Sequence, residues 1–204
     1  MKLEMKNNIK QIVMAILGIL CLGFGIGMNL KVGLGVDPLS AVYDSVSKIL
    51  HLSLGTTTAI ISVCYLILGF ILYKKNVGIA SVSFILISKY PIDFAYEFFI
   101  TSDNFIISIV LCIFTIATIA LGSELFILSG LGACPYDSFT MGIGKRLKHE
   151  VKYVYIRWAS DGLLLIIALL LHGEIGLGTV LSFSLIGIFM RTIEKVLRKI
   201  LKID

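Results

Sequence analysis

Gly33-Leu34-Gly35-Val36-Asp37-Pro38 recurs 97 positions later as Gly130-Leu131-Gly132-Ala133-Cys134-Pro135. At the same offset Gly25 pairs with Gly122, Lys48 with Lys145 and Leu50 with Leu147. With one inserted residue, Ser62 pairs with Ser160, and Gly78-Ile79-Ala80-Ser81 with Gly176-Leu177-Gly178-Thr179. Each copy reads as a long apolar segment, a glycine turn, a short helix and two further long segments, which is the pattern of an internal repeat.

Working outward from the turns, long apolar segments cover 12–30, 55–73, 77–100, 105–128, 153–171 and 176–190. Each approaches the ~20 residues that a membrane-crossing helix needs. The composition agrees: 57% of the 204 residues are hydrophobic and only 15% charged, too apolar for a water-soluble domain to hide. No small-residue cleavage pattern follows the first segment, so it reads as a retained span and not a signal peptide. The net charge of +5 lies mainly between and beyond the apolar segments, where it orients a membrane protein, and does not point to nucleic acid. Cys21, Cys64, Cys112 and Cys134 form no CxxC or Cys/His cluster, and no metal or cofactor is expected.

The pieces after the two prolines, 38–52 and 135–149, would be about 22 Å long as helices, short of a ~30 Å hydrocarbon core. The first places Leu39, Val42, Tyr43, Val46 and Ile49 on one face, with Ser40, Asp44, Ser47 and Lys48 opposite. The second repeats this more weakly, with Tyr136, Phe139 and Ile143 against Asp137, Thr140 and Lys145. Both read as interfacial or re-entrant helices that start at proline.

Charge tests the topology. If the short helices do not cross, the inner side receives Lys2, Lys6, Lys10, Lys74, Lys75, Lys145, Arg146, Lys148, Lys152, Lys195, Arg198, Lys199 and Lys202. The outer side then receives only Lys31 and Lys48. Letting the short helices cross would carry Lys74 and Lys75 outside, against the positive-inside bias. The expectation is an all-α polytopic membrane protein, a single membrane domain over 1–204. It has six transmembrane helices in two inverted three-helix repeats, about 10–100 and 105–200, each with a short amphipathic helix. Both termini are expected in the cytoplasm; eight spans is the minority alternative.

The repeated Gly-Leu-Gly-x-x-Pro turn with its short helix, and the Gly-x-Gly-Thr that enters the last segment, resemble the YczE/YyaS/YitT family of bacterial membrane proteins over nearly the whole chain. The match is most specific at 33–40 and 130–137, and Asp93 is similar in position to an acidic residue that often ends the family's third span. The chain departs from the pattern at Ser88-Lys89-Tyr90-Pro91 and at Ala80-Ser81. The resemblance implies a multi-pass protein of the bacterial plasma membrane, with a transport role as the usual expectation.

Lys89 falls 12 residues into the 77–100 segment, so it needs a partner or a wet cavity, and Asp93 and Glu97 follow on the same face. Pro91 between them is expected to kink the segment. Arg157 and Asp161 repeat the i, i+4 spacing, but Arg157 lies near the inner boundary and reads as snorkelling. Glu124 has a similar interfacial reading. The glycine turns allow close backbone approach, and helices that start at Pro38 and Pro135 would aim unpaired N–H groups at them. Gly33, Gly35, Gly130 and Gly132, with Asp37 and Asp137, therefore join Lys89 and Asp93 as candidate substrate-binding residues, although Asp37 could instead cap its helix. Gly23 and Gly27 make a small-residue face suited to internal packing or to a homo-oligomer. The basic residues beyond 190 suit anionic lipid headgroups.

No HExxH, GxSxG or Walker A motif is present, and Ser45-x-x-Lys48 lacks the companions of an S-x-x-K enzyme, so no enzymatic activity is expected. The leading expectation is a small secondary transporter or exporter of a small organic solute, an acidic one being a candidate, with a midplane site between inverted repeats. The alternatives are a substrate-capture membrane subunit of a larger ATP-driven transporter, or a membrane scaffold or regulator without a solute.

Overall fold

The computed structural model describes residues 8–147 and 153–201, and all their regular structure is helical. The helices are α1 Asn8–Val32, α2 Pro38–Leu50, α3 Leu54–Tyr73, α4 Ile79–Ile87, α5 Lys89–Phe98, α6 Phe105–Leu128, α7 Pro135–Arg146, α8 Tyr153–Leu170 and α9 Leu177–Leu201. Among the described residues three helices are long and apolar enough to cross a membrane: α1, α3 with the turn after it, and α6. The chain is thus a helical multi-pass membrane protein. α8 carries Arg157 and Asp161, α9 turns basic toward its end, and the 77–100 segment is broken into α4 and α5.

That break follows from Pro91, which has no N–H to offer the carbonyl one turn earlier. Helical bonds flank it, from Ser88 N to Phe84 O and from Ile92 N to Ser88 O. The other boundaries depart little from expectation, except that α9 continues well past 190 and α7 stops at Arg146. Lys148 and His149, at the expected end of that short helix, lie outside the described residues, as do Lys2, Lys6, Lys152 and Lys202.

α1 and α6 pack antiparallel along the centre. Gly18 faces Gly122 and Phe126, Gly25 faces Ile119, and the buried Asn29 donates from Nδ2 to Thr115 Oγ1 at 2.7 Å. The register shows that neither helix reaches as far as its partner. Beyond the Asn29–Thr115 level α1 has one further turn and α6 nearly three; at the opposite end α1 outruns α6 by a similar margin. Each helix thus ends about 10 Å short on the side where its short helix follows. The Gly23 and Gly27 face is spent inside the chain, against Pro91 and against Ile92 and Ala95 of α5.

The glycine turns interlock with the other half of the molecule. Leu34 O accepts from Gly178 N at 2.7 Å, where α9 begins, and Leu131 O accepts from Ala80 N at 3.2 Å, where α4 begins. Gly35 and Gly132 have positive φ, +91° and +123°. A Cβ on Gly35 would stand 2.7 Å from Gly176 Cα, and one on Gly132 would stand 2.6 Å from Gly78 N. Thr179 and Ser81 hold the matching positions and accept from Gly176 N and Gly78 N at 3.2 Å each. The tetrapeptides that the repeat pairs in sequence are therefore the docking surfaces for the opposite turns. Each short helix in turn packs on a long helix of the other half, α2 against α8 and α7 against α3.

Candidate functional site

The two short helices begin at the same place. Asp37 and Ser40 from the start of α2, and Cys134, Pro135, Tyr136 and Asp137 from the start of α7, line one small cavity. Leu22 and Ile26 of α1 and Ile119 of α6 also line it, residues close to the midpoints of those helices, so the cavity lies near the centre of the molecule. Its volume is about 40 Å³, room for about three water-sized groups.

The helix starts are capped in complementary ways. Asp37 is the residue that caps α2, and its Oδ2 accepts from Ser40 N at 3.1 Å. In α7 the repeat exchanges these roles: Cys134 stands at the cap and Asp137 at the third position, where its Oδ2 accepts from Cys134 Sγ at 3.0 Å. A carboxylate therefore faces the positive end of each short helix, a favourable placement. Asp37 N–H turns back to Asn29 Oδ1 at 3.4 Å, so it is not tied to the Ser40 side chain. Asp37 Oδ1 and Ser40 Oγ are both buried and have no hydrogen-bond partner among the described residues.

Arg157 of α8 closes the α7 side. It pairs with Asp137 and with Asp161 Oδ2 at 3.3 Å, and its guanidinium lies 4.6 Å from the centre of the Tyr136 ring. Tyr136 donates its hydroxyl to Asp161, while Tyr65 meets the ring edge-on at 5.3 Å. Asp137 and Asp161 are only 1% and 3% exposed. Two buried carboxylates thus share one guanidinium, and its fork geometry suits that task. Arg157 and Ile186 also line a second cavity of about 260 Å³, between α6, α8 and α9, with Glu124, Arg191 and Glu194 in its walls. Arg157 stands between the two spaces.

Of the residues expected from sequence, Asp37 and Asp137 meet at the cavity. Gly35 and Gly132 are engaged in the interlock, and Gly33 and Gly130 hold positive φ in exposed turns beside it. Lys89 is exposed at the start of α5, away from the cavity, and its carbonyl and Cα pack against Gly55. Asp93 serves the start of α3, accepting from Gly55 N at 2.7 Å and Ser53 Oγ at 2.9 Å. The snorkelling expected of Arg157 is corrected: its side chain is 11% exposed and turned inward, drawn by two buried carboxylates. Glu124, expected at the interface, is 5% exposed. Tyr136, Ser40 and the site role of Arg157 and Asp161 were missed. The available signal was the i, i+4 pair inside an apolar segment, since depth along one helix does not say which neighbour the pair faces.

Known proteins offer relatives without an activity. A sequence profile described as a family of unknown function, DUF6198, matches residues 9–195. The chain is similar to the uncharacterized protein YyaS of Bacillus subtilis, 28% identical over 88% of this chain and 92% of that one. It is also similar to the uncharacterized membrane protein YczE of Bacillus subtilis, 29% identical over 85% of this chain and 80% of that one. An uncharacterized protein of Haemophilus influenzae is 24% identical over 87% of this chain and 80% of its own length. No solved structure matches.

Proposed function

The chain belongs to the DUF6198 family, for which no activity is assigned, and from its own geometry we propose a small secondary transporter or exporter that alternates access to the central cavity. The proposed architecture is two inverted halves, about 10–100 and 105–200, in one membrane unit with six crossings. α2 and α7 are re-entrant, starting near the midplane and emerging at opposite faces. The shortfall of about 10 Å where α1 and α6 stop supports this reading, as does the pairing of Lys48, near the end of α2, with Glu174 before α9 at 2.8 Å. The basic end of α9 rests among anionic lipids of a bacterial plasma membrane, with both termini in the cytoplasm.

The observation that carries the function is the convergence of two oppositely directed short helices on one internal cavity that has Asp37, Ser40 and Asp137 in a largely apolar wall. Inverted-repeat transporters place their sites at such a junction, and rocking of one half against the other opens the site to either side. The cavity touches both halves, and the 260 Å³ space beyond Arg157 supplies a vestibule on the side where α6 ends.

The test needs no solute. A single cysteine at Ser123, which is 3% exposed and lines the cavity, is introduced after replacement of the four native cysteines. A small, membrane-impermeant thiol reagent is then applied to right-side-out and inside-out vesicles. Modification from both faces is the expected result. Modification from one face alone would instead support a capture subunit, and from neither a scaffold.

A further inference from the structure

We propose that the central cavity binds a small primary ammonium group, held by the Asp37 carboxylate and the Ser40 hydroxyl; this names a ligand class for the transport reading and rests on it. Helix N-termini by themselves attract anions, but here each is already met by a carboxylate of its own chain. What the cavity leaves open is acceptor capacity. Asp37 Oδ1 and Ser40 Oγ are buried and have no partner in hydrogen-bonding geometry among the described residues, and Ser40 is 1% exposed.

Charge selects the same ligand. Asp37, Asp137 and Asp161 stand against the single guanidinium of Arg157, which is engaged by the last two. A buried carboxylate oxygen without a donor is costly, and a cation that carries hydrogen-bond donors removes the cost. An ammonium group brings one positive charge and three N–H donors, enough for both orphan oxygens. A metal cation would want about six oxygen ligands, more than the open acceptors provide. A quaternary ammonium offers no N–H at all.

Size limits the rest of the molecule. The cavity of about 40 Å³ accommodates roughly three non-hydrogen atoms on the scale of one water per ~10–15 Å³. Leu22, Ile26, Phe84, Ile119 and Ile186 supply apolar wall for a short alkyl chain. Methylammonium and ethylammonium fit this occluded form.

The experiment is thermal unfolding of the full chain, purified in detergent, against methylammonium chloride, with sodium chloride, tetramethylammonium chloride and sodium acetate at equal ionic strength. Methylammonium is expected to raise Tm by a few degrees in a saturable way, and the three controls are not. Asp37→Asn keeps an equally good helix cap and should weaken the apparent affinity by about tenfold or more, the worth of a charged hydrogen bond. Ser40→Ala should weaken it less. Absence of stabilisation in the wild-type chain, equal stabilisation by acetate or sodium, or full retention in both variants overturns the proposal. Labelling of Ser123→Cys from both faces would leave alternating access standing when the ammonium assignment fails.

Discussion

At the scale of single residues, the repeat keeps a carboxylate at each short-helix start by exchanging side chains. Asp37 aligns with Cys134 and Ser40 with Asp137, so each short helix has one carboxylate at its start, at the cap of α2 and at the third position of α7. Arg157 pairs with Asp137 and Asp161, on the α7 side. Replacing it with glutamine leaves Asp137 and Asp161 buried without a cation, and should cost about 3–5 kcal/mol of stability, measured as a fall in Tm. Adding Asp161→Asn should recover part of that loss. Asp93 serves a different end of the fold: Asp93→Ala removes the acceptor for Gly55 N and Ser53 Oγ. The expected cost is about 1–2 kcal/mol, as for other lost caps, with the methylammonium response unchanged.

At the scale of elements, the glycine turns are joints before they are anything else. Gly33 and Gly35 both hold positive φ, but nothing lies within reach of a Cβ on Gly33, whereas one on Gly35 collides with Gly176. Gly33→Ala should therefore cost about 1–2 kcal/mol, the left-handed penalty alone. Gly35→Ala adds a backbone clash and should cost about 3 kcal/mol or more. Equal losses in thermal unfolding would mean that the interlock contributes nothing. The broken α4–α5 element has a comparable local cause in Pro91, whose ring fills the notch at Gly23. The kink turns α5 so that Asp93 meets α3, leaving Lys89 outside.

At the scale of the whole molecule, the pairing of α1 with α6 and the reciprocal docking of the turns describe two halves that stabilise each other. The carbonyls of Leu34 and Leu131, at the tips of the two turns, are each bonded by the opposite half. The proposed topology makes a direct prediction: protease sites appended at either terminus are cut only in inside-out vesicles, while one placed in the 100–104 loop is cut only in right-side-out vesicles. An eight-crossing arrangement would expose the stretch after α3, at Lys74 and Lys75, to the outside reagent instead.

The local elements were written in the sequence, because hydrophobic length, prolines at the first helical position and repeated glycines act over a few residues. α6 and the starts of α2 and α7 fall at the expected positions for that reason, and the break at Pro91 does too. The pairing of Asp37 and Asp137 was half legible, since both stand beside repeated prolines. The tertiary structure alone decided what each polar residue faces. Lys89 has the more conspicuous position along its segment, yet the turn of α5 puts it outside, while Arg157, closer to a segment end, is drawn inward by carboxylates from two helices. Position along one helix is a property of sequence; the face presented to a neighbour depends on how antiparallel helices and crossed turns pack, and that is fixed only when the two halves meet.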